Sequence, residues 1–497
     1  MAKWIIKLSC ALFFLTSPLL LYGYNDDEKI TYSITIDASN PKLALVSASF
    51  IPKDSLLYMS AGAQQFQKRW AKFVHNIQAK NRLGKALILD ELPDASWKIH
   101  APLNQEVVLT YTIKLDHENH KWSGGIDGAA YANDWGVFYT GRSLFILNGD
   151  ERENIEIKFD IPNDWKVTTP WNTIDNDEHS YVTSSQSALS QAMFFAGTHQ
   201  EFTVNRDEFE LVFALGGDDI IAQQEDFKKL AEGVFDYYID LMGGIPKPPE
   251  ANKFSKVAVI VNPASSTDGE VIGNSISILI EQNGDQMSKV ISRFIFAHEF
   301  FHLWNGKSFF PEHNDVEWFK EGFTNYYTLK ALYVIGFLNN QSYLNMLSNF
   351  FYQRYINDSG VGNLSMTKGE EKHDHWGLIY GGGLFVGIAQ DIVIRSATDN
   401  EKNIDDLLRK LYQKYGGTDK GYTLKELEEI MTELSGKDQS KFMNTYVIGT
   451  KGIPIHEYLN SIGFEAKVEN KQLRISKKAN LTPIQQKIIK GFYGQKE

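Results

Sequence analysis

The segment 298–302 reads His-Glu-Phe-Phe-His, and it limits what the chain can fold into more than any other feature. It lies in the stretch 286–305, where apolar residues recur at three- and four-residue spacing and predict an amphipathic helix. Residues four apart share one face of a helix, so the imidazoles of His298 and His302 can reach a single metal ion. Glu299 lies on the adjacent face, where its carboxylate can contact a water on that ion without being a ligand.

A catalytic metal site needs a third protein ligand beside an open coordination position. Glu321 lies 19 residues after His302, on a second predicted helix that starts near Asp315. Two histidines and one glutamate are the ligands of thermolysin-like zinc peptidases, so the spacing predicts one Zn²⁺ at His298, His302 and Glu321. Zinc lowers the pKa of its bound water to about 7, and Glu299 could then act as the general base.

Other polar groups near Glu321 compete for the third-ligand position or could support it. The competitors are Glu312, His313, Asp315 and Glu317. The first three are expected to solvate the connecting loop or to cap the helix. Glu317, one turn before Glu321, and Asn325, one turn after it, are candidates for contacts that orient the ligands. For Asn325 the alternative is an ordinary structural amide.

The pattern of the chain changes along its length. Short alternating runs such as 30–37 and 107–115 predict β-strands in sandwich-like modules. Strands are also predicted at 256–261 and 276–280, and helical periodicity dominates after residue 342. A multidomain α+β fold is therefore expected. Its predicted parts are a signal peptide (1–23), a β-rich N-terminal domain (24–215), a domain that carries the predicted metal site (216–340) and a mainly helical C-terminal domain with a short mixed tail (341–497).

The first 23 residues have the layout of a secretory signal peptide. Lys3 and Lys7 precede the almost wholly apolar run Leu8–Leu21, and small or turn-forming residues follow. The run is short for a membrane span, which needs about 20 residues. We therefore expect cleavage near residue 23 and export to the periplasm or the extracellular space, with an uncleaved membrane anchor as the alternative. Cys10, the only cysteine, would be removed by this cleavage, which leaves no thiolate ligand and no disulfide.

The overall charge of the chain limits its partners. The formal net charge is −12, and an acidic surface disfavours binding to nucleic acid and to anionic membranes. We expect a peptide substrate and zinc as partners, no nucleic acid, and no membrane contact beyond the export signal.

Two segments resemble a known family of enzymes. The sequences HEFFHLWNGK (298–307) and WFKEGFTNYY (318–327) are similar to the glycyl aminopeptidase family of gluzincin metallopeptidases, a relative of the aminopeptidase N group. A less specific similarity extends from Lys29 to Gly463. The resemblance implies a thermolysin-like catalytic domain between a β-rich domain and a helical one, zinc at the three ligands already named, and Glu299 as the base.

The same resemblance nominates Tyr380 as the hydroxyl that stabilises the oxyanion of the tetrahedral intermediate, a role that needs a hydrogen-bond donor opposite the zinc. The alternative for Tyr380 is an aromatic residue of the core or of a helix start. Gly381 and Gly382, directly after it, would allow the substrate to approach closely.

The strand before the zinc helix departs from the family pattern. Many members carry Gly-Gly-x-Glu-His there, and the glutamate helps to anchor the free amine of a substrate. Residues 268–275 read Asp-Gly-Glu-Val-Ile-Gly-Asn-Ser, so strict register puts Ile272 at the position of the glutamate. Glu270 could serve only after a shift of two, which keeps it on the same strand face. Glu270 and Gly273 are the substrate-binding candidates of this stretch.

The end of the chain also departs from the family, whose members commonly finish with a PDZ domain. The tail after Lys451 is too short for one. The expected activity is zinc-dependent removal of N-terminal residues from short peptides. A zinc endopeptidase and a non-catalytic peptide-binding protein on a peptidase scaffold are the alternatives, and zinc-activated attack on an ester or epoxide stays open.

Overall fold

A computed structural model describes residues 29–64, 66–115, 128–149, 152–174 and 177–495. The signal peptide predicted at 1–23, together with Cys10, lies outside these described residues. The fold is α+β, as expected, with most strands before residue 282 and most helices after it.

The N-terminal region consists of β-sheets around one apolar core. Its elements are β1 (Ile30–Ile36), β2 (Leu43–Phe50), β3 (Leu56–Tyr58), β4 (Val74–Asn81), β5 (Ala86–Leu87), β6 (Leu89–Leu92), β7 (Ser96–Ile99), β8 (Val107–Lys114), β9 (Tyr131–Asn133), β10 (Gly136–Thr140), α1 (Gly141–Leu144), β11 (Leu147–Asn148), β12 (Glu153–Asp160), β13 (Lys166–Thr168), β14 (Asn172–Ile174), β15 (Asp177–Ser185), α2 (Gln186–Ser190) and β16 (Met193–Gly197). The largest sheet has the order β14-β15-β12-β1-β2-β8-β4-β5, and the smaller sheets have the orders β13-β16-β10-β9 and β11-β3-β7-β6. Every second side chain of β1 is buried, which is the pattern of a strand with one face on a core.

The second region is a mixed sheet covered by helices. Its elements are β17 (Gln200–Arg206), β18 (Phe209–Leu215), α3 (Asp218–Ile221), α4 (Gln224–Met242), β19 (Lys256–Ala264), β20 (Asp268–Ile272), β21 (Ser275–Glu281), α5 (Gln286–Phe301) and α6 (Glu317–Val334). The sheet order is β17-β18-β19-β21-β20, in which β18, β19 and β21 are parallel and β20 lies antiparallel at the edge. Because β17 and β18 pair within this sheet, the boundary predicted at residue 215 moves back to the start of β17.

The third region is mainly helical, as predicted. Its elements are α7 (Asn340–Asn345), α8 (Gln353–Asn357), α9 (Gly382–Ala397), α10 (Ile404–Tyr415), α11 (Leu424–Ser435), α12 (Ser440–Phe442), α13 (Ile455–Ser461), β22 (Phe464–Glu469), β23 (Gln472–Lys477) and α14 (Pro483–Phe492). Its buried apolar residues form one continuous core with those of the mixed sheet. The predicted boundary at residue 340 therefore does not separate two cores. Among the described residues, the helical run Gly377–Ala397 has the length and apolar character of a membrane span, and it lies mostly buried in this core.

Candidate active site

Helices α5 and α6 bring the side chains of His298, His302 and Glu321 together. The Nε2 atoms of the two histidines lie 3.1 Å apart, and Oε2 of Glu321 lies 3.5 Å from the first and 3.2 Å from the second. All three residues are buried, and within the described ranges they form the one cluster of such residues that could hold a metal ion. Tetrahedral zinc ligands at about 2.0–2.1 Å lie about 3.3 Å from one another. Donor types and spacings thus both fit zinc.

The ring of His302 is oriented by the backbone that follows α5. Its Nδ1 lies 2.9 Å from the carbonyl oxygen of Asn305. A carbonyl only accepts hydrogen bonds, so Nδ1 carries the proton and Nε2 keeps its lone pair for the site. The Nδ1 atom of His298 is buried and has no hydrogen-bond partner among the described residues.

Asn305 was not singled out from the sequence, although it ties the two metal-site helices together. Its Nδ2 donates to the carbonyl oxygen of Lys320 on α6 at 3.0 Å, and the Tyr422 hydroxyl donates to its Oδ1 at 3.3 Å. Asn305 is fully buried, so these bonds satisfy an amide that would otherwise be costly to bury. The sequence feature that could have identified Asn305 is a polar residue at the end of an apolar stretch, three positions after His302.

The second carboxylate oxygen of Glu321 contacts two lysines. Its Oε1 lies 3.3 Å from Nζ of Lys320 and 3.3 Å from Nζ of Lys372. The same ammonium groups lie 3.0 and 2.7 Å from Oε2 of Glu317. Although burial opposes ionisation, Lys320 and His302 hold the pKa of Glu321 well below its ordinary value. Glu317 therefore supports Glu321 indirectly, because both carboxylates bind the same two lysines.

The remaining competitors lie apart from this cluster. Glu312 and His313 are exposed, and Asp315 is half-buried in the short 3₁₀ turn Asn314–Val316. As predicted for the loop before α6, they do not join the group that could bind a metal ion.

Glu299 lies beside His298 on α5 and faces the edge strand β20. A Cβ atom on Gly269 would lie 3.1 Å from Cγ and 3.5 Å from Oε1 of Glu299, so the glycine leaves room for this carboxyl group. Desolvation raises the pKa of Glu299 to about 7, with a further increase from Glu321 and an opposing effect of His298. A carboxyl group that titrates near neutral pH is suited to accept and return a proton.

Tyr380 lies in the π-helical turn Gly377–Gly381, directly before α9. Its ring stacks on Trp376 with centroids 5.1 Å apart and lies 6.5 Å from the ring of His298. Burial, together with the nearby carboxylates, raises the pKa of its hydroxyl. The group therefore stays protonated at neutral pH and can donate a hydrogen bond in the cavity.

Asn325 supports Tyr380 rather than the metal-site residues. Its Nδ2 donates to the backbone carbonyl oxygen of Tyr380 at 3.3 Å. The predicted role of Asn325, to orient Glu321 or an imidazole, is therefore replaced by a contact that joins α6 to the turn before α9.

A cavity of about 840 Å³ opens in front of these groups. Asp268 and Glu270 line it from β20, where alternate residues share one strand face. Oε2 of Glu270 accepts a hydrogen bond from the backbone N–H of Gly128 at 3.1 Å, and Lys307 lies close enough for the two charges to interact. Ile272 instead packs in an apolar cluster against the N-terminal region. Glu270, and not Ile272, therefore lies in the cavity wall.

Three glycines predicted to bind substrate do not line this cavity. Gly273 forms the turn between β20 and β21, where its φ is +55° and a Cβ atom would lie 2.4 Å from the carbonyl oxygen of Gln191. Gly381 and Gly382 are buried inside the helical run and pack against Tyr355. Gly381 and Gly382 serve chain packing, whereas Gly273 lines a neighbouring cavity of about 490 Å³.

The neighbouring glycines Gly322 and Gly383 bring α6 and α9 into backbone contact. A Cβ atom on Gly383 would lie 1.9 Å from the carbonyl oxygen of Trp318, and one on Gly322 would lie 2.2 Å from the carbonyl carbon of Gly383. Glu321 and Tyr380 lie next to this contact in sequence. The close approach of the two helices therefore sets where these side chains lie relative to each other.

We expect Gly383→Ala to lower the free energy of unfolding by about 3 kcal/mol or more, because backbone atoms must move apart. Gly387→Ala on the same helix is the matched control, since its Cβ atom would meet the Phe323 ring at 3.4 Å. That control should be neutral or stabilising by up to about 1 kcal/mol, because alanine favours helix. Urea unfolding measures both, and equal stabilities of the two variants would contradict the packing role.

Comparison with known proteins agrees with this geometry. Residues 67–192 match the model of the peptidase M61 N-terminal domain, and residues 292–380 match the M61 glycyl aminopeptidase model. A solved structure of an aminopeptidase N family protein from Idiomarina loihiensis has a similar fold, with a TM-score of 0.74 at 19% identity. The match covers 88% of this chain and 79% of that one. No curated protein matches the chain.

The two matched models and the shared fold define the chain as a peptidase. Both models describe domains of the M61 glycyl aminopeptidase family, which the segments 298–307 and 318–327 also resemble.

Proposed function

We propose that this peptidase is zinc-dependent and removes N-terminal residues from short peptides. The observation that carries the proposal is the buried cluster of His298, His302 and Glu321 beside Glu299 in one cavity. When bound, zinc supplies Lewis-acid activation of water and of the peptide carbonyl. We also propose that the chain is exported and that its N-terminal 23 residues are the signal for this.

Each of the side chains in the cavity would have its own role in the reaction. Glu299 takes a proton from the attacking water and returns it to the leaving amine, which its pKa near neutrality favours. Tyr380 donates a hydrogen bond to the oxygen of the former carbonyl as negative charge develops there. Lys320 and Lys372 keep Glu321 ionised and hold one of its oxygens away from the histidines.

The acidic wall of the cavity supports exopeptidase action. A free α-amine needs a carboxylate partner, and Asp268 and Glu270 both line the cavity. An edge strand such as β20 can also hydrogen-bond to an extended peptide. Asp268→Asn and Glu270→Gln should be compared on the same substrate. The residue whose replacement gives the larger rise in KM is the one that binds the α-amine.

A second cavity favours endopeptidase action as the competing function. It has a volume of about 490 Å³ and shares Gly306 and Lys307 with the first cavity, so it could hold residues that precede the scissile bond.

Hydrolysis of matched peptides with free and acetylated N termini distinguishes the two functions. An aminopeptidase should favour the free amine by at least about 100-fold, because acetylation removes the positive charge and the hydrogen-bond donors that a carboxylate of the cavity wall would bind. Equal kcat/KM values for both peptides would overturn the aminopeptidase proposal and favour the endopeptidase. No zinc-dependent hydrolysis of either peptide would overturn the proposed function itself.

A further inference from the structure

Arg354, the second residue of α8, lines the active-site cavity but takes no part in the chemistry proposed above. Its guanidinium packs on the Phe350 ring, 3.7 Å from the centroid, and lies 5.6 Å from the centroid of Trp376. Its Nη1 donates to the carbonyl oxygen of Phe350 at 3.3 Å. Among the residues that the structure describes, no carboxylate pairs with it. Arg354 is thus a cation held by aromatic rings, with donors left for a ligand.

Three successive distances between side chains give an upper limit for the distance from Arg354 to His298. The ring of His298 lies 6.5 Å from Tyr380, Tyr380 lies 5.1 Å from Trp376, and Trp376 lies 5.6 Å from the guanidinium. An extended peptide residue spans about 3.4 Å. A peptide with its scissile bond at His298 therefore reaches Arg354 within about five residues.

Arg354 and Glu270 lie near different parts of α5. Phe294, one turn before His298 on α5, contacts the Phe350 ring beside Arg354 with centroids 6.5 Å apart. Glu270 interacts with Lys307, which follows the other end of α5. The metal-site histidines thus lie between a guanidinium and a carboxylate.

We propose that Arg354 binds a carboxylate on the part of the substrate that follows the scissile bond. This inference rests on the proposed peptidase function. A planar guanidinium fixed on aromatic rings can bind a carboxylate through two parallel hydrogen bonds. Lys372, also in the cavity wall, already binds Glu317 and Glu321. The preferred substrates are therefore short peptides whose carboxylate is the C terminus or an acidic side chain.

Two matched peptide pairs test the inference and separate the two sources of the carboxylate. One pair, made at each length from three to six residues, is a peptide with a free C-terminal acid and its C-terminal amide. The other is an amidated hexapeptide with Glu or Gln placed in turn at each position after the scissile bond. The wild type should favour the acidic member of one pair by about tenfold in kcat/KM. Arg354→Gln should bring that ratio to about one, and Arg354→Lys should retain part of it.

Arg474→Gln is the matched control, because Arg474 is an exposed arginine on β23 that pairs with Glu469; it should keep the wild-type ratio. A wild-type ratio of one for both pairs would overturn the inference. So would an Arg354→Gln variant that loses activity equally on both members of each pair, since that pattern indicates a structural role.

A measurement of peptide binding tests the inference even if the peptidase proposal fails. If the wild type hydrolyses none of these peptides, the proposed function has failed, and calorimetric titration of the same pairs into wild type and Arg354→Gln then decides the inference. Tighter binding of the acidic member, lost in Arg354→Gln, supports the carboxylate site. Equal binding of both members by the wild type overturns it.

Discussion

Replacing Glu299 by Gln should lower kcat for peptide hydrolysis by about 10³-fold or more while zinc stays bound. The amide has nearly the same shape but cannot accept the proton of the attacking water, and a general base contributes about 10²–10⁴-fold. The metal-site residues His298, His302 and Glu321 do not depend on the carboxylate of Glu299 for their contacts. Steady-state kinetics and zinc analysis of the purified variant measure the two quantities separately.

Glu312→Gln is the control for this experiment, since Glu312 is an exposed carboxylate in the loop before α6. It should keep wild-type kcat. An unchanged kcat in Glu299→Gln would exclude Glu299 as the base, and no activity in any form of the protein would favour a peptide-binding protein on a peptidase scaffold.

Replacing Tyr380 by Phe should lower kcat by about 10²–10³-fold with a small change in KM. The hydroxyl is proposed to bind oxygen only as charge develops on it, so its loss affects the transition state more than substrate binding. The phenyl ring can keep the stack on Trp376, so the cavity wall should keep its shape.

Tyr352→Phe removes the hydroxyl of another tyrosine whose ring contacts Phe385 in the core, and it should leave kcat unchanged. If Tyr380→Phe raised KM and left kcat at its wild-type value, Tyr380 would be a substrate-contact residue and the oxyanion role would be wrong.

The parts of the fold that follow from local periodicity were predictable from the sequence. The i, i+4 spacing of His298 and His302 depends only on helix geometry, and α5 has that geometry. Helices α10 and α11 lie in the stretch after residue 342 where helical periodicity dominates, because their apolar stripes are regular. The mixed α+β class followed from the same change of period.

Contacts between distant parts of the chain were not predictable in this way. Lys372 reaches Glu321 from a loop 51 residues later, and no local pattern marks it. The glycines after Tyr380 were assigned to the substrate because sequence does not distinguish room for a ligand from room for a helix. Gly381 and Gly382 instead leave room for Tyr355, which packs against both of them.

Zinc titration of chelator-treated wild-type protein, with bound metal and peptide hydrolysis followed together, tests the central claim most directly. We predict no hydrolysis without metal and full activity at one equivalent of zinc, with Glu321→Gln binding zinc much more weakly because one of three ligands is altered. Hydrolysis by the metal-free protein, or one tightly bound zinc in both wild type and Glu321→Gln, would contradict the assignment of zinc to His298, His302 and Glu321.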